Sequence, residues 1–164
     1  MEPGSQPSFG ARRYIKQLSI DAIEQNRPIA FDTSALIPFL ERRPRYGPLL
    51  LPLFGQFGPR ATISSVALAE LLVVPARDGG ATRVEITRRA VLNLPRIVTV
   101  PLDDVAAGRT ALVRARTGLK FPDAAVLAAA LSMDAIAIIG NDRRWKNRDL
   151  GVPYHHLDDI LALA

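Results

Sequence analysis

Cysteine is absent from the 164-residue chain. That excludes a disulfide framework, a thiolate-bound zinc or iron–sulfur site and a cysteine nucleophile. Long apolar runs are lacking as well: the longest nearly unbroken one, Ala124 to Leu131, falls far short of the roughly 20 residues needed to cross a bilayer. The start, Met1-Glu2-Pro3-Gly4, has no basic-then-apolar signal pattern. A cytoplasmic protein with no membrane partner is expected. Lysine is scarce, since of 21 basic residues only Lys16, Lys120 and Lys146 are lysines. What remains is arginine, and with a formal net charge of +5 its planar forks favour phosphate-bearing partners such as nucleic acid. A content of 48% hydrophobic and 23% charged residues belongs to a folded chain of this length with one core, not to a disordered one.

Along the chain, Pro3, Gly4, Ser5, Pro7 and Gly10 mark residues 1–10 as a flexible leader. Residues 12–26 read as a helix with Ile15, Leu18 and Ala22 on one stripe. Pro28 to Phe31 reads as a short buried strand ending at Asp32, and Thr33 to Glu41 as a helix. Proline and glycine punctuate residues 42–59 so densely that any helix there is short. Ala61 to Ser64 forms a second strand, and Ser64 or Ser65 caps a helix that Pro75 is expected to stop near Val74. A turn at Asp78-Gly79-Gly80 then leads to a helix over Thr82–Leu92. Further strands are expected at Ile97–Val100, Ala135–Ile139 and Val152–His155, and further helices at Leu102–Thr117, ended by Gly118, and from Pro122 to about Ser132. Strands separated by helices, with apolar runs in place of two-residue alternation, imply an α/β fold whose parallel sheet is covered on both faces. Ligands bind such sheets beyond the carboxyl ends of the strands, where strand order reverses.

Four acids belong to that edge. Asp32 closes the first strand, and Asp142 follows the fourth after Gly140-Asn141. Glu70 sits roughly 9 Å of helix rise beyond the second strand, with its side chain tilted back toward the helix start. Asp123 lies in the first turn of the helix that leads into the fourth strand. Each has a plain structural explanation: a helix cap for Asp32, the helix macrodipole for Asp123, turn chemistry for Asp142. Glu70 is harder to explain so, because it stands in the apolar frame Val66-Ala67-Leu68-Ala69-Glu70-Leu71-Leu72 and an unpaired buried acid is costly. Clustered carboxylates repel, and a bound cation removes that penalty. An oxygen-only donor set suits Mg²⁺ or Mn²⁺, whereas only His155 and His156 could ligate a softer metal, and neither is taken as a ligand. A negative site in a positive surround fits metal-dependent chemistry on a polyanion.

On these residues the sequence resembles the PIN-domain ribonucleases, most of all the VapC-type toxins of toxin–antitoxin pairs. The stretches that carry the resemblance are Phe31-Asp32-Thr33-Ser34-Ala35-Leu36, Ile63 to Leu71 around Glu70, Leu119 to Ala129 around Asp123, and Gly140-Asn141-Asp142-Arg143-Arg144-Trp145. Their order and spacing cover about residues 28–156. Residues 1–27 then stand as an N-terminal leader and extra helix, and residues 28–164 as a PIN-like nuclease domain. The resemblance implies a three-layer α/β/α sandwich with strand order 3-2-1-4-5, Mg²⁺ or Mn²⁺ as cofactor, and hydrolysis of single-stranded or looped RNA to a 5′-phosphate and a 3′-hydroxyl. It also implies that Asp32, Glu70, Asp123 and Asp142 are the catalytic, metal-binding acids, supported by hydrogen bonds from Thr33, Ser34 or Asn141, and that a small antitoxin is the protein partner. Three departures stand out. Gly140 occupies a position, two residues before the last acid, where the family often carries Ser or Thr; Trp145 replaces a smaller aromatic after that acid; residues 1–27 have no counterpart in a minimal member.

Arg42, Arg43, Arg143 and Arg144 follow strand-end elements and are candidates for holding RNA phosphates, with a solvated charged face as the alternative. The apolar segment Leu49 to Phe57 has more surface than a proline-broken loop easily buries, which suggests a homodimer contact or a groove for an antitoxin helix, with core packing as the alternative. Two rival functions stay open. A haloacid-dehalogenase-type phosphatase also starts from an acid at a strand end, but it needs a second Asp two positions on, where this chain has Ser34. A PIN-like domain that binds RNA or protein without cutting needs no complete acid set, whereas all four acids are present here.

Overall fold

The structure, a computed structural model, describes residues 6–163. Of the expected leader, Pro3, Gly4 and Ser5 lie outside the described residues. Five strands, β1 (Ile29–Phe31), β2 (Ala61–Ser64), β3 (Ile97–Val100), β4 (Ala137–Gly140) and β5 (Tyr154–His156), form one sheet in the order β3-β2-β1-β4-β5. All pairings are parallel, with Ile29 opposite both Ala61 and Ala137, and Phe31 opposite Ile139. The α/β class and the 3-2-1-4-5 order are those the sequence implied. Strand order reverses at β1, which has β2 on one side and β4 on the other; the crevice past the carboxyl ends of β1 and β4 is therefore the place for a ligand.

The pleat sends alternate side chains to opposite faces, and each face has its own core. Ile29, Phe31, Ala61, Ile63, Ala137 and Ile139 pack with α1 (Phe9–Glu24), α2 (Thr33–Leu40), α3 (Gly47–Leu50), α4 (Ser65–Leu92) and α7 (Leu157–Leu161). Ala30 and Ile138 face the other way, onto Val113 of α5 (Asp104–Thr117) and the alanine-rich α6 (Phe121–Ser132). Small alanines let α6 lie close along the sheet, and seven of its residues in a row, Ala124 to Ala130, are buried. Two helical layers thus enclose the sheet and hold the carboxyl edge rigid. No described helix is long and apolar enough to cross a membrane.

Local differences from the expectations have identifiable causes. The first helix begins at Phe9, three residues early, because the Ser8 hydroxyl accepts the Ala11 N–H at 3.0 Å and caps it; Pro7 is buried, so the described end of the leader is part of the fold. Ala11 joins Ile15, Leu18 and Ala22 in the buried stripe. Pro75 does not stop α4. The helix loses one hydrogen bond there, yet Leu68, Leu71 and Leu72 remain packed on the core, and the break falls at Gly79–Gly80, where Gly80 adopts φ 59°, ψ −152°, a region open essentially to glycine. The last helix, α7, carries no strong sequence signal; Leu157 and Ile160 bury it.

The segment read as a dimer contact or antitoxin groove is mostly core. Leu49, Leu50, Leu53 and Phe54 are buried, and Phe54 packs its ring 4.7 Å from Phe31 and 4.4 Å from Phe39. A four-residue helix and a 3₁₀ turn, Leu51–Phe54, place these side chains inward despite the prolines. Of the segment's large apolar side chains only Leu51 and Phe57 stay exposed, Phe57 at 88%. Leu53→Ala should therefore cost about 2–5 kcal/mol in denaturant unfolding, whereas Phe57→Ala should stay within about 0.5 kcal/mol. Comparable effects of the two substitutions would contradict this packing.

Candidate active site

At the end of β1, Asp32 does two jobs. Its Oδ2 accepts the Ser34 N–H at 3.2 Å, capping α2, and the Ser34 hydroxyl donates to the same oxygen at 2.5 Å. Ser34 Oγ in turn accepts the Asn141 N–H at 2.7 Å, so one hydroxyl ties the carboxyl end of β1 to the chain leaving β4. Thr33 Oγ1 lies 3.4 Å from both Asp32 Oδ1 and Glu70 Oε2, bridging the first acid to the second. Asp32 is 7% exposed and Thr33 9%. The cap explanation and the clustered-acid explanation of Asp32 are thus both satisfied by one geometry.

Electrostatics reports how close the acids are. Glu70 is pushed above its ordinary pKa of 4.5 by partial burial and by the charges of Asp32 and Asp123, while Thr33 opposes the shift. Asp123 is likewise raised, first by burial, against the pull of Arg144 and with Asp32 and Asp142 adding repulsion. The Trp145 indole N–H also lowers Asp123 slightly, although it forms no hydrogen bond of good geometry. Carboxylates from β1, α4, α6 and the β4 exit therefore share one region.

Asp142 differs from the other three. Its carboxylate is held by Arg144, whose Nε reaches Oδ1 at 3.1 Å and Oδ2 at 2.8 Å and whose Nη2 pairs with Oδ2, while the Arg144 N–H caps Oδ1 at 2.8 Å. These bonds lower the Asp142 pKa. Of the four arginines proposed for phosphates, Arg144 alone is tied to the acid cluster. Arg43 donates to Glu41 at 2.7 Å, and Arg42 and Arg143 are exposed and in no ion pair among the described residues.

Sequence reasoning missed two tyrosines. Tyr46 donates to Asp158 at 2.8 Å and lies 3.4 Å from Asn141 Nδ2, and burial, followed by Asp158, raises its pKa. The Tyr154 hydroxyl meets the backbone of Asp142, and burial raises its pKa so that it remains a neutral phenol. Neither stands in a sequence stretch that carries chemistry; both reach the site from elements that only folding brings near. Trp145 is buried against Tyr154, with ring centroids 5.4 Å apart, and so serves in packing.

This donor set fits a hard divalent cation. Two acids are raised by burial and, behind it, by like charge, with no lysine or arginine bound to Glu70, and Asn141 Oδ1 is buried with no hydrogen-bond partner. As the side chains lie, no three His, Asp or Glu among the described residues are arranged to enclose one ion; Asp142 is turned to Arg144 instead.

The sequence profile of the PIN domain matches residues 29–150. No curated protein matches the sequence. Among solved structures, the fold is similar to VapBC2 from Rickettsia felis bound to a DNA fragment from their promoter, at TM-score 0.60 and 15% identity, covering 79% of this chain and 98% of that one. It is also similar to a toxin–antitoxin complex from Klebsiella pneumoniae (TM-score 0.60, 22% identity, 79% and 97% covered). A third is VapC20 from Mycobacterium tuberculosis, a sarcin–ricin loop cleaving toxin (TM-score 0.54, 18% identity, 75% and 92% covered).

The raised carboxyls set a pH dependence. An acid whose pKa is higher in the folded chain than in the unfolded one binds more protons when folded, so stability falls as pH rises between the two values. Metal-free protein should accordingly gain melting temperature as the pH drops from neutral toward 4.5, the ordinary value for Glu70. Glu70→Gln should flatten that slope and raise the melting temperature at pH 7 by about 1–2 °C, the size expected for a solvent-screened repulsion in a domain of this length. A lowered melting temperature in this variant would contradict the clustering.

Proposed function

Because this chain belongs to the PIN-domain family, we propose that it is a divalent-metal-dependent endoribonuclease, the toxin of a toxin–antitoxin pair acting in the cytoplasm. The observation that carries the reading is the convergence of Asp32, Glu70 and Asp123, where burial first and neighbouring carboxylates second raise Glu70 and Asp123, at the strand-order reversal of a parallel sheet. Such clustering costs stability in the absence of a counter-charge and makes sense as a binding device.

Asp32, Glu70, Asp123 and Asp142 would hold Mg²⁺ or Mn²⁺. When bound, the cation supplies activation of water and neutralisation of charge on the attacked phosphate. Ser34 and Thr33 keep the Asp32 and Glu70 carboxylates turned toward each other, and Ser34 with Asn141 fixes the spacing between the β1 and β4 exits. Arg144, paired with Asp142, must release that carboxylate as the cation enters, and it is then free to meet an RNA phosphate, a role open also to the unpaired Arg42 and Arg143. Two of the similar structures are described as toxin–antitoxin or VapBC assemblies, which supports a small antitoxin as this chain's partner. Co-expression with the protein encoded beside it should yield a complex in which RNA cleavage is suppressed.

The direct test is incubation of the purified protein with RNA and Mn²⁺, beside an Asp32→Asn variant. Cleavage that requires the metal and falls by about 10²-fold or more in the variant is expected, the usual scale for removing one electrostatic participant. Intact RNA with turnover of p-nitrophenyl phosphate would redirect the reading to a phosphatase, and binding without either activity to a non-catalytic domain. Arg144→Ala should tighten Mn²⁺ binding about two- to fivefold, since the ion pair it removes is a half-exposed one worth roughly 0.5–1 kcal/mol.

A further inference from the structure

Gly140, the last residue of β4, has no side chain at a position facing the acid cluster's exit strand, and the structure shows what fills the space. A Cβ added there would stand 2.7 Å from Tyr154 Oη and 2.9 Å from Cε2, too close for any real side chain. The tyrosine ring occupies that volume. Tyr154 pairs with Ile138 in the β4–β5 ladder, so its ring runs along β4 toward the carboxyl end. Stacking on the buried Trp145, at 27° between ring planes, and an edge contact with His156 leave the ring little freedom.

At the end of that ring, one hydroxyl meets two backbone groups of one residue. Tyr154 Oη accepts the Asp142 N–H at 3.0 Å and donates to the Asp142 C=O, also at 3.0 Å. Both peptide groups flanking the Asp142 side chain are thereby pinned, in a stretch of irregular chain between β4 and the 3₁₀ turn at Arg143–Trp145. No other residue of the site holds the Asp142 main chain from both sides.

We propose that Tyr154 is a positioning residue for Asp142: its ring fills the space beside Gly140, its hydroxyl holds the Asp142 main chain by two hydrogen bonds, and together these set where the last carboxylate points. This rests on the metal-dependent reading given above. Deleting the hydroxyl alone leaves the ring, its stacking and Gly140 untouched, but strands the Asp142 N–H and leaves its C=O held only by the Trp145 N–H at 3.3 Å, which loosens the Asp142 main chain.

Calorimetric titration of the full chain with MnCl₂ tests this. Tyr154→Phe should fold, with a melting temperature within about 3 °C of wild type, yet bind Mn²⁺ about tenfold more weakly, as removal of a residue that orients a metal ligand typically does. A compensating pair keeps the test independent of the stability of any one variant. Gly140→Ser should weaken binding and lower the melting temperature because its Cβ meets the ring; Tyr154→Ala should weaken binding by opening the space; the double variant, with a serine hydroxyl in the vacated volume, should recover more than half of the affinity lost in Tyr154→Ala. Unchanged affinity in Tyr154→Phe, or simply additive losses in the double variant, would overturn the positioning role while leaving the nuclease reading intact. Failure of the wild-type protein itself to bind Mn²⁺ would overturn both.

Discussion

Repulsion between carboxylates is the constraint on which this structure turns. Four chain segments deliver an acid each to the carboxyl edge of one sheet, and two of those acids hold their protons more tightly than free side chains, first through loss of solvent and then through the carboxylates beside them. A fold tolerates such crowding only if the surrounding packing over-determines it. Here the cores on both faces of the sheet do so: the β1 and β4 residues that precede the site, Phe31 and Ile139, are fully buried and paired with one another.

The polar scaffold directs the repulsion instead of relieving it. Ser34 stands between Asp32 and the Asn141 backbone, Thr33 between Asp32 and Glu70, and Tyr154 beneath Asp142. Each hydroxyl is a neutral group that fixes a carboxylate, or the main chain beneath one, without cancelling its charge. Arg144 is the one charged neighbour that does compensate, on a short turn with its guanidinium half in solvent, while Glu70, the exposed member of the four acids, is left without it. A counter-charge placed there is displaceable; the same arginine on α6 would have filled the site permanently.

Much of this was legible before folding. The alternation of short apolar runs with helices, the capping residues and the acids immediately past strand ends predict the parallel sheet and its reactive edge, since these signals are local and depend on backbone chemistry that neighbours do not alter. Boundaries were less legible. Pro75 reads as a stop, but a helix anchored by Leu68, Leu71 and Leu72 continues through it; Leu49 to Phe57 reads as surplus apolar surface, but Phe31 and Phe39 receive it. In the second case tertiary burial outweighed a local preference; past Pro75 the helix is exposed from Ala76 to Gly80, and burial is not what carries it there. Gly140 looked like a missing contact because sequence position hides the residue that replaces it 14 places later.

Residue order alone determined the α/β class and singled out four acids as candidates, because hydrophobic period, caps and strand-end placement are properties of short stretches; the strand order came only through the family resemblance. Only the tertiary structure decided which acids feel one another, that Arg144 rather than solvent neutralises Asp142, and that two tyrosines distant in sequence buttress the site. Those outcomes depend on Coulomb forces and hydrogen bonds that act over a few ångströms between elements, and no spacing along the chain encodes a distance across the fold.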